Sequence, residues 1–354
     1  MSFSFSLPAD AAAWRHALRA QILTVDPAGF DALALAVFRY QAAHNPVYAR
    51  YLHHLQIRPD TVTAPDRIPF MPIGFFKTQH ILSGLDQAQA TTGQLLTFAS
   101  SGTTGEQTSQ HYVADPALYD DVCVRIFEQV YGSLNGLAIL ALLPSYLERN
   151  NSSLVYMVRQ FMTRSGHPLS GFFLNDHQEL TSRLAHLGQQ GQRTLLIGVT
   201  FGLLDWAESA TGRLATAHHP ALTVMETGGM KGRRKELLRD EVHQLLTTQL
   251  GIDRVHSEYG MTELLSQAYS TGEGVFAPSP TLRVLLRDIN DPFAIYPTDY
   301  TRTGGINVID LANLDSCSFI ETQDLGQYVG TDGSFRVIGR FDNADIRGCN
   351  LMVL

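Results

Sequence analysis

Three short apolar runs, residues 137–143, 193–199 and 222–225, constrain the fold of this 354-residue chain more than any other feature. A strand with one face in water alternates apolar and polar side chains, because successive Cβ atoms point to opposite faces. A run that is apolar at successive positions must be covered on both faces, which is the pattern of a parallel sheet between helices. The segments between the runs have helical character. Residues 115–130 open on Asp115 as a cap with Pro116 in the first turn, and residues 152–163 and 234–250 repeat apolar side chains at helical spacing. The expectation is an α/β body with mostly parallel sheets flanked by helices.

On either side of this body the texture differs. The first 57 residues read as helices, with Phe30, Leu33, Leu35, Val37 and Phe38 at helical spacing and Pro46 separating a further segment, 47–55. Prolines 59, 65, 69 and 72 then punctuate an apolar run at 68–76, which predicts an ordered, partly buried loop. A short strand is expected at 95–98. Beyond Pro278 strands and turns dominate, at 282–286, 305–309, 318–322 and 333–338. This divides the chain into a helical segment (1–90) packed on the body, an α/β core (91–280) and a β-rich C-terminal portion (281–354).

Composition excludes some functions. A formal charge of −8 leaves no basic surplus for a general nucleic-acid binder, although Lys231-Gly232-Arg233-Arg234-Lys235 suits one small anionic ligand. Apolar and charged fractions of 44% and 17% are those of a soluble globular protein. No apolar run reaches membrane-spanning length, the start lacks a signal-peptide pattern, and three cysteines make no disulfide framework. These features predict a cytoplasmic protein without an integral membrane segment.

Three strings carry chemistry. In Ser100-Ser101-Gly102-Thr103-Thr104-Gly105, small residues leave backbone N–H groups uncovered and glycines allow the turns that aim them inward, so the loop can cradle phosphates. Taken alone it reads equally as a Ser/Thr/Gly-rich surface turn, and it lacks the Gly-Lys-Ser/Thr ending of a Walker loop. In Ser257-Glu258-Tyr259-Gly260-Met261-Thr262-Glu263 a carboxylate stands at a predicted strand end, either solvated or sharing a Mg²⁺ with phosphate oxygens. In Glu321-Thr322-Gln323-Asp324-Leu325-Gly326 and Ile338-Gly339-Arg340 an Asp can accept from two ribose hydroxyls and an Arg can assist.

In this order and spacing the strings resemble the motifs of the adenylate-forming superfamily of acyl-CoA synthetases, adenylation domains and luciferases. Within it the wording is similar to the acyl-protein synthetases of bacterial bioluminescence operons, the LuxE family. That likeness rests on Leu143-Pro144-Ser145-Tyr146-Leu147-Glu148-Arg149, Glu226-Thr227-Gly228-Gly229, the 257–267 string and Ile346-Arg347-Gly348-Cys349-Asn350, and runs from about Phe30 onward.

The resemblance implies a nucleotide-binding core and the activation of a carboxylic acid, in one version a fatty acid, as an acyl-adenylate, with ATP and Mg²⁺ as cofactors. Ser100, Ser101, Gly102, Thr103, Thr104 and Gly105 would hold the β- and γ-phosphates, and Gly228 and Gly229 would lie along the adenine. Tyr259 would stack on the base, Thr262 would touch the α-phosphate, Glu263 would ligand Mg²⁺, Asp324 would take the ribose hydroxyls and Arg340 would assist. Many relatives carry a lysine just after the loop, where this chain reads Gly105-Glu106-Gln107-Thr108-Ser109-Gln110. Lys231, Arg233 or Arg149 would then supply the positive charge. The mobile C-terminal domain of full-length relatives is expected to be absent or nearly so.

An acyl-adenylate needs an acceptor. Cys349 matches the acylated cysteine of the bioluminescence enzymes, whereas Cys123 reads as core and Cys317 has no base in view. Acceptors other than Cys349 are a protein partner such as a carrier protein or reductase, or coenzyme A. A non-catalytic nucleotide-binding protein, and an acyltransferase working on preformed thioesters, stand as the alternatives. His111, His256 and the pair His218-His219 lack metal-ligand spacing and read as core or surface histidines.

Overall fold

The computed structural model of the chain describes residues 10–85, 95–100, 107–144, 151–209, 216, 219–228 and 237–341. Of the expected site, Ser101, Gly102, Thr103, Thr104, Gly105, Arg149, Gly229, Lys231, Arg233 and Cys349 lie outside those residues.

The N-terminal helices form where the sequence places them. Helix α1 (Ala11–Ile22) starts at Asp10, whose carboxylate accepts from the Ala12 N–H. Helix α2 (Phe30–His44) buries Phe30, Leu33, Val37 and Phe38, and helix α3 (Pro46–His54) opens with proline in its first turn. Asn45 caps α3 by accepting from Val47 and Tyr48 N–H at 3.1 and 3.0 Å. In the proline-rich stretch Phe70, Met71 and Phe76 are buried as expected. That stretch also contributes a two-residue strand, β1 (Met71–Pro72), and a single helical turn, α4 (Phe75–Thr78). β1 is an edge strand, the position where a proline without an N–H is tolerated.

Strands β2 (Leu96–Ala99) and β3 (Gln110–Val113) pair antiparallel. Helix α5 (Pro116–Tyr131) is capped by Asp115, which accepts from Leu118 N–H at 2.9 Å. The core then alternates strand and helix up to β8, which β9 follows: β4 (Ala138–Leu142), α6 (Ser153–Ser165), β5 (Gly171–Phe172), α7 (His177–Gln189), β6 (Thr194–Val199), α8 (Thr200–Ala207), β7 (Leu222–Thr227), α9 (Arg239–Leu250), β8 (His256–Tyr259) and β9 (Ala268–Ser270). The sheet order is β5-β4-β6-β7-β8-β9, with the first five strands parallel and β9 antiparallel. Every residue of β4 and β6 is buried, as their unbroken apolar character requires. In such open sheets ligands bind outside the carboxyl ends of the strands.

Helix α9 begins five residues later than its periodicity suggests. Leu238 is extended, and the Glu241 carboxylate accepts its N–H at 2.8 Å, which fixes the start at Arg239.

The β-rich portion comprises β10 (Leu282–Arg287), β11 (Gly304–Asp310), β12 (Phe319–Tyr328) and β13 (Phe335–Arg340), antiparallel to their neighbours, with β1 joining β12 in parallel. β12 runs well past the expected 318–322, so Asp324 lies inside a strand rather than in a turn. The N-terminal helices dock here: Phe319 meets the rings of Phe38, Tyr48 and Phe70, and the buried amides of Gln41 and Asn45 donate to carbonyls of Asn313, Leu314 and Ser316. Among the described residues no helix is long and apolar enough to cross a membrane.

Candidate functional site

The turn after β8 is the centre of the site. Tyr259, the last residue of β8, is 6% exposed, with its ring against Phe276 and Phe335 and its hydroxyl donating to Asp324 Oδ2 at 2.9 Å. Asp324 faces Arg340 across the β12–β13 ladder, and Arg340 Nε lies 3.1 Å from Asp324 Oδ1. Burial pushes the Asp324 carboxyl up from its ordinary range, against the opposing pull of Arg340 and the Tyr259 hydroxyl. Three residues separated by as much as 81 positions in sequence thus share one polar contact. The Tyr259 ring thus belongs to an aromatic cluster, while its hydroxyl reaches the polar contact with Asp324.

Glu263 is 5% exposed, and burial raises its carboxyl while the Ser109 hydroxyl stabilises the charged form. Ser109 in turn donates its N–H to Ser100 Oγ at 2.9 Å and accepts the Ser100 N–H at 3.1 Å. Ser100 therefore reaches Glu263 through Ser109, at the foot of residues 101–106. The Thr262 carbonyl lies 2.8 Å from His111 Nδ1, and the Glu263 carbonyl accepts from Asn313 Nδ2 at 2.7 Å. Downstream, the buried Asp310 carboxylate accepts from Leu265 and Ser266 N–H, from Ser266 Oγ and from Ala312 N–H, at 2.6–3.0 Å. Side-chain groups from β3, β11 and the 311–313 turn hold the whole 262–266 segment.

Gly228 stands at the same end of the sheet. It follows Thr227, which pairs with Glu258, and its φ of 73° is a left-handed conformation suited to glycine. Its carbonyl accepts from the Thr200 hydroxyl at the end of β6. Beneath it Glu226, 3% exposed, is held by Arg239 Nε at 3.1 Å, His243 Nε2 at 3.6 Å and Thr200 Oγ1 at 3.1 Å. Its carboxyl lies below the usual range: the hydrogen bond from His243 and the charge of Arg239 outweigh the desolvation that raises it. Ser257 Oγ and Glu226 both approach His243 through the same nitrogen, Nε2, so the three form no nucleophilic triad. Glu258, on the alternate side of β8, accepts from the Thr227 hydroxyl, and burial lifts its carboxyl to about 7.

No protein-family model matches the chain, and no curated protein matches it. Among solved structures it is similar to a coronafacic acid ligase from Pectobacterium brasiliense, at 14% identity over 63% of this chain and 43% of that one, TM-score 0.41. It is similar to the amide bond synthetase McbA from Marinactinospora thermotolerans, at 14% identity over 62% and 44%, TM-score 0.42. A structure from work on fatty acyl-adenylate ligases from E. coli and L. pneumophila gives 13% identity over 69% and 51%, TM-score 0.49. The chain spans about half the length of each.

The site residues fit the groups they would hold. Mg²⁺ takes one or two carboxylates and completes its shell with phosphate oxygens and water. Glu263, a single buried carboxylate beside the Ser100–Ser109 contact, is such a donor, and a cation offsets the desolvation that raises it. Among the described residues no group of three or more His, Cys, Asp or Glu forms a protein-only metal cage. Asp324 has each oxygen engaged once, and a carboxylate has about four lone-pair positions, so it retains capacity for hydroxyl donors. Sequence reasoning read His111 as a core or surface histidine and missed Asn313 and Asp310; these three reach the site mostly through its backbone groups and so leave no motif.

Proposed function

We propose that this protein uses ATP to activate a carboxylic acid as its acyl-adenylate. The observation that carries the reading is the meeting of three distant sequence strings at one sheet end: Ser100 through Ser109 to Glu263, Tyr259 to Asp324, and Asp324 to Arg340. Binding an anionic acid next to a triphosphate demands charge management and orientation more than covalent chemistry. A carboxylate oxygen bonds to the α-phosphorus while the bond from that phosphorus to the leaving pyrophosphate breaks, so charge grows on phosphate oxygens.

In this reading Glu263 holds the cation, Asp324 accepts the ribose hydroxyls with its orientation fixed by Tyr259 and Arg340, and Thr262 and Gly228 line the nucleotide. Ser100 and the 101–105 string cradle the outer phosphates, and Gly229 continues the line of Gly228. Bound Mg²⁺ would supply positive charge to the phosphate oxygens.

Acyl transfer to a thiol is the second step we propose, in the manner of the acyl-protein synthetases. Cys123 and Cys317 are fully buried, and burial pushes their thiols up, that of Cys317 to about 12, so neither is a ready nucleophile. Cys349 is the remaining cysteine of the chain, and the other acceptors are a carrier protein, a reductase or coenzyme A.

The deciding experiment is ATP–pyrophosphate exchange with Mg²⁺ over a panel of short, long and aromatic acids, with Glu263→Gln as control. Exchange that depends on one acid class and collapses in the variant supports adenylation. ATP binding without exchange for any acid points to a non-catalytic nucleotide binder, and acyl transfer without ATP to an acyltransferase.

A further inference from the structure

We propose that His111, together with Asn313, is a positioning residue that sets the Thr262–Glu263 peptide against the foot of the 101–106 segment, so that cation binding at Glu263 depends on a side-chain hydrogen bond to a carbonyl. This rests on the assignment of Glu263 to a cation made above.

His111 is 0% exposed and sits in β3, with its ring edge-on to Phe76 at 5.7 Å between centroids. Its Nδ1 lies 2.8 Å from the Thr262 carbonyl oxygen. A carbonyl only accepts, so Nδ1 must carry the proton, and in a neutral ring Nε2 is then a bare acceptor. Nε2 has no partner of hydrogen-bonding geometry among the described residues, and the Asn313 side chain, which favours the protonated ring, is the second polar group beside it.

The next carbonyl is held in the same way. Asn313, also 0% exposed, donates Nδ2 to the Glu263 carbonyl at 2.7 Å in a buried bond. The segment has left the sheet at this point, so side-chain donors stand where ladder N–H groups would otherwise serve. Among the described residues the backbone closure near them is Leu264 N–H to the Met261 carbonyl at 3.0 Å.

The register of the 109–111 stretch makes the arrangement more than local packing. Ser109 and His111 are two residues apart on extended chain and so project to the same side. One stabilises the Glu263 carboxylate and the other holds the Thr262 carbonyl. The first also bonds Ser100, so one short stretch fixes the distance between the loop foot and the carboxylate. Groups that orient a metal ligand in this indirect way typically govern affinity about 10- to 100-fold.

A His that merely fills space against Phe76 makes the opposite prediction from one that donates, and two substitutions separate them. His111→Phe keeps the aromatic volume and loses the donor. His111→Asn loses the ring but keeps an amide N–H attached, like Nδ1, directly to Cγ. The probe is Mn²⁺ with ATP, read by electron paramagnetic resonance on variants whose melting shows them folded. The expected result is about a 10- to 100-fold loss of Mn²⁺ affinity in His111→Phe and near wild-type affinity in His111→Asn. Wild-type binding in His111→Phe, or an equal loss in both variants, overturns the proposal. Nitrogen NMR of the wild-type chain gives a readout that needs no nucleotide: the Nδ1–H tautomer at His111 is expected, and the Nε2–H tautomer refutes the hydrogen bond. A wild-type chain that binds no Mn²⁺ with ATP, yet shows the Nδ1–H tautomer, refutes the cation assignment to Glu263, and the proposal with it, while leaving the hydrogen bond standing.

Discussion

Asp324 and Arg340 stand opposite each other in the β12–β13 register at 3.1 Å, and the two side chains differ sharply in exposure, 9% against 68%. The pair is therefore a buried anion with a solvent-exposed counter-charge. The positions predict different losses.

Arg340→Ala should cost less than about 1 kcal/mol of stability, the range of exposed ion pairs. Asp324→Ala removes the acceptor of the buried Tyr259 hydroxyl and should cost about 1–3 kcal/mol. Urea unfolding of both variants measures this, and nucleotide affinity should fall in both. A larger stability loss for Arg340→Ala than for Asp324→Ala would contradict the asymmetry.

Glu258 predicts a pH dependence. Its carboxyl, ordinarily near 4.5, is lifted to about 7 by burial in the folded chain. Between those values the folded state holds a proton that the unfolded state has released, so stability falls as pH rises from 4.5 through 7. Glu258→Gln should flatten that part of the stability profile, and thermal melts at half-unit steps would reveal it. An unchanged slope in the variant would assign the effect to other groups.

Gly260 predicts a coupling. A Cβ there would sit 2.3 Å from Glu258 Oε1, inside a fully buried carboxyl that also binds Thr227. Gly260→Ala should destabilise the chain by about 1–3 kcal/mol, the usual range for overpacking. Most of that loss should disappear when alanine is introduced at 260 in a Glu258→Ala background. A double-mutant cycle that returns no coupling would show that the clash is relieved elsewhere.

Glu226→Gln should be costly. It leaves Arg239 and His243 facing a neutral amide at the joint between β7 and α9, and one-sided loss of a buried pair costs about 3 kcal/mol at the low end of its range. The partial exposure of Arg239, at 26%, is the reason to expect the low end. Equilibrium unfolding in urea is the check, and a variant as stable as wild type would mean that the pair contributes nothing net.

The layout of the core was legible because its strands are apolar on both faces and its helices carry caps at Asp115 and Ser152. What was illegible has specific causes. Helix α8 is apolar nearly all round, so it shows no amphipathic stripe, and β12 carries the polar Gln323 and Asp324 beyond the expected end of its strand at 322. The start of α9 is set by the Glu241 carboxylate rather than by periodicity. At the site, Ser100, Tyr259, Glu263, Asp324 and Arg340 were visible as strings, and their connections, Ser109 and His111 above all, depend on chain crossings that no local pattern encodes. The aromatic neighbours of Tyr259, Phe276 and Phe335, come from segments before and after the β10–β12 meander, a meeting that no local pattern encodes.

Arg15 and Asp315 meet in a two-point contact, Nε and Nη2 to the two carboxylate oxygens, across 300 residues of chain. During synthesis at 5–20 residues per second, Asp315 follows Arg15 by roughly 15–60 s. Through that interval Phe38 and Tyr48 have no Phe319 to cover them, so the first helices leave the ribosome with an uncovered apolar face. Those helices therefore stay uncovered until Phe319 has been made, and slow translation of the segment leading up to it would lengthen that exposure.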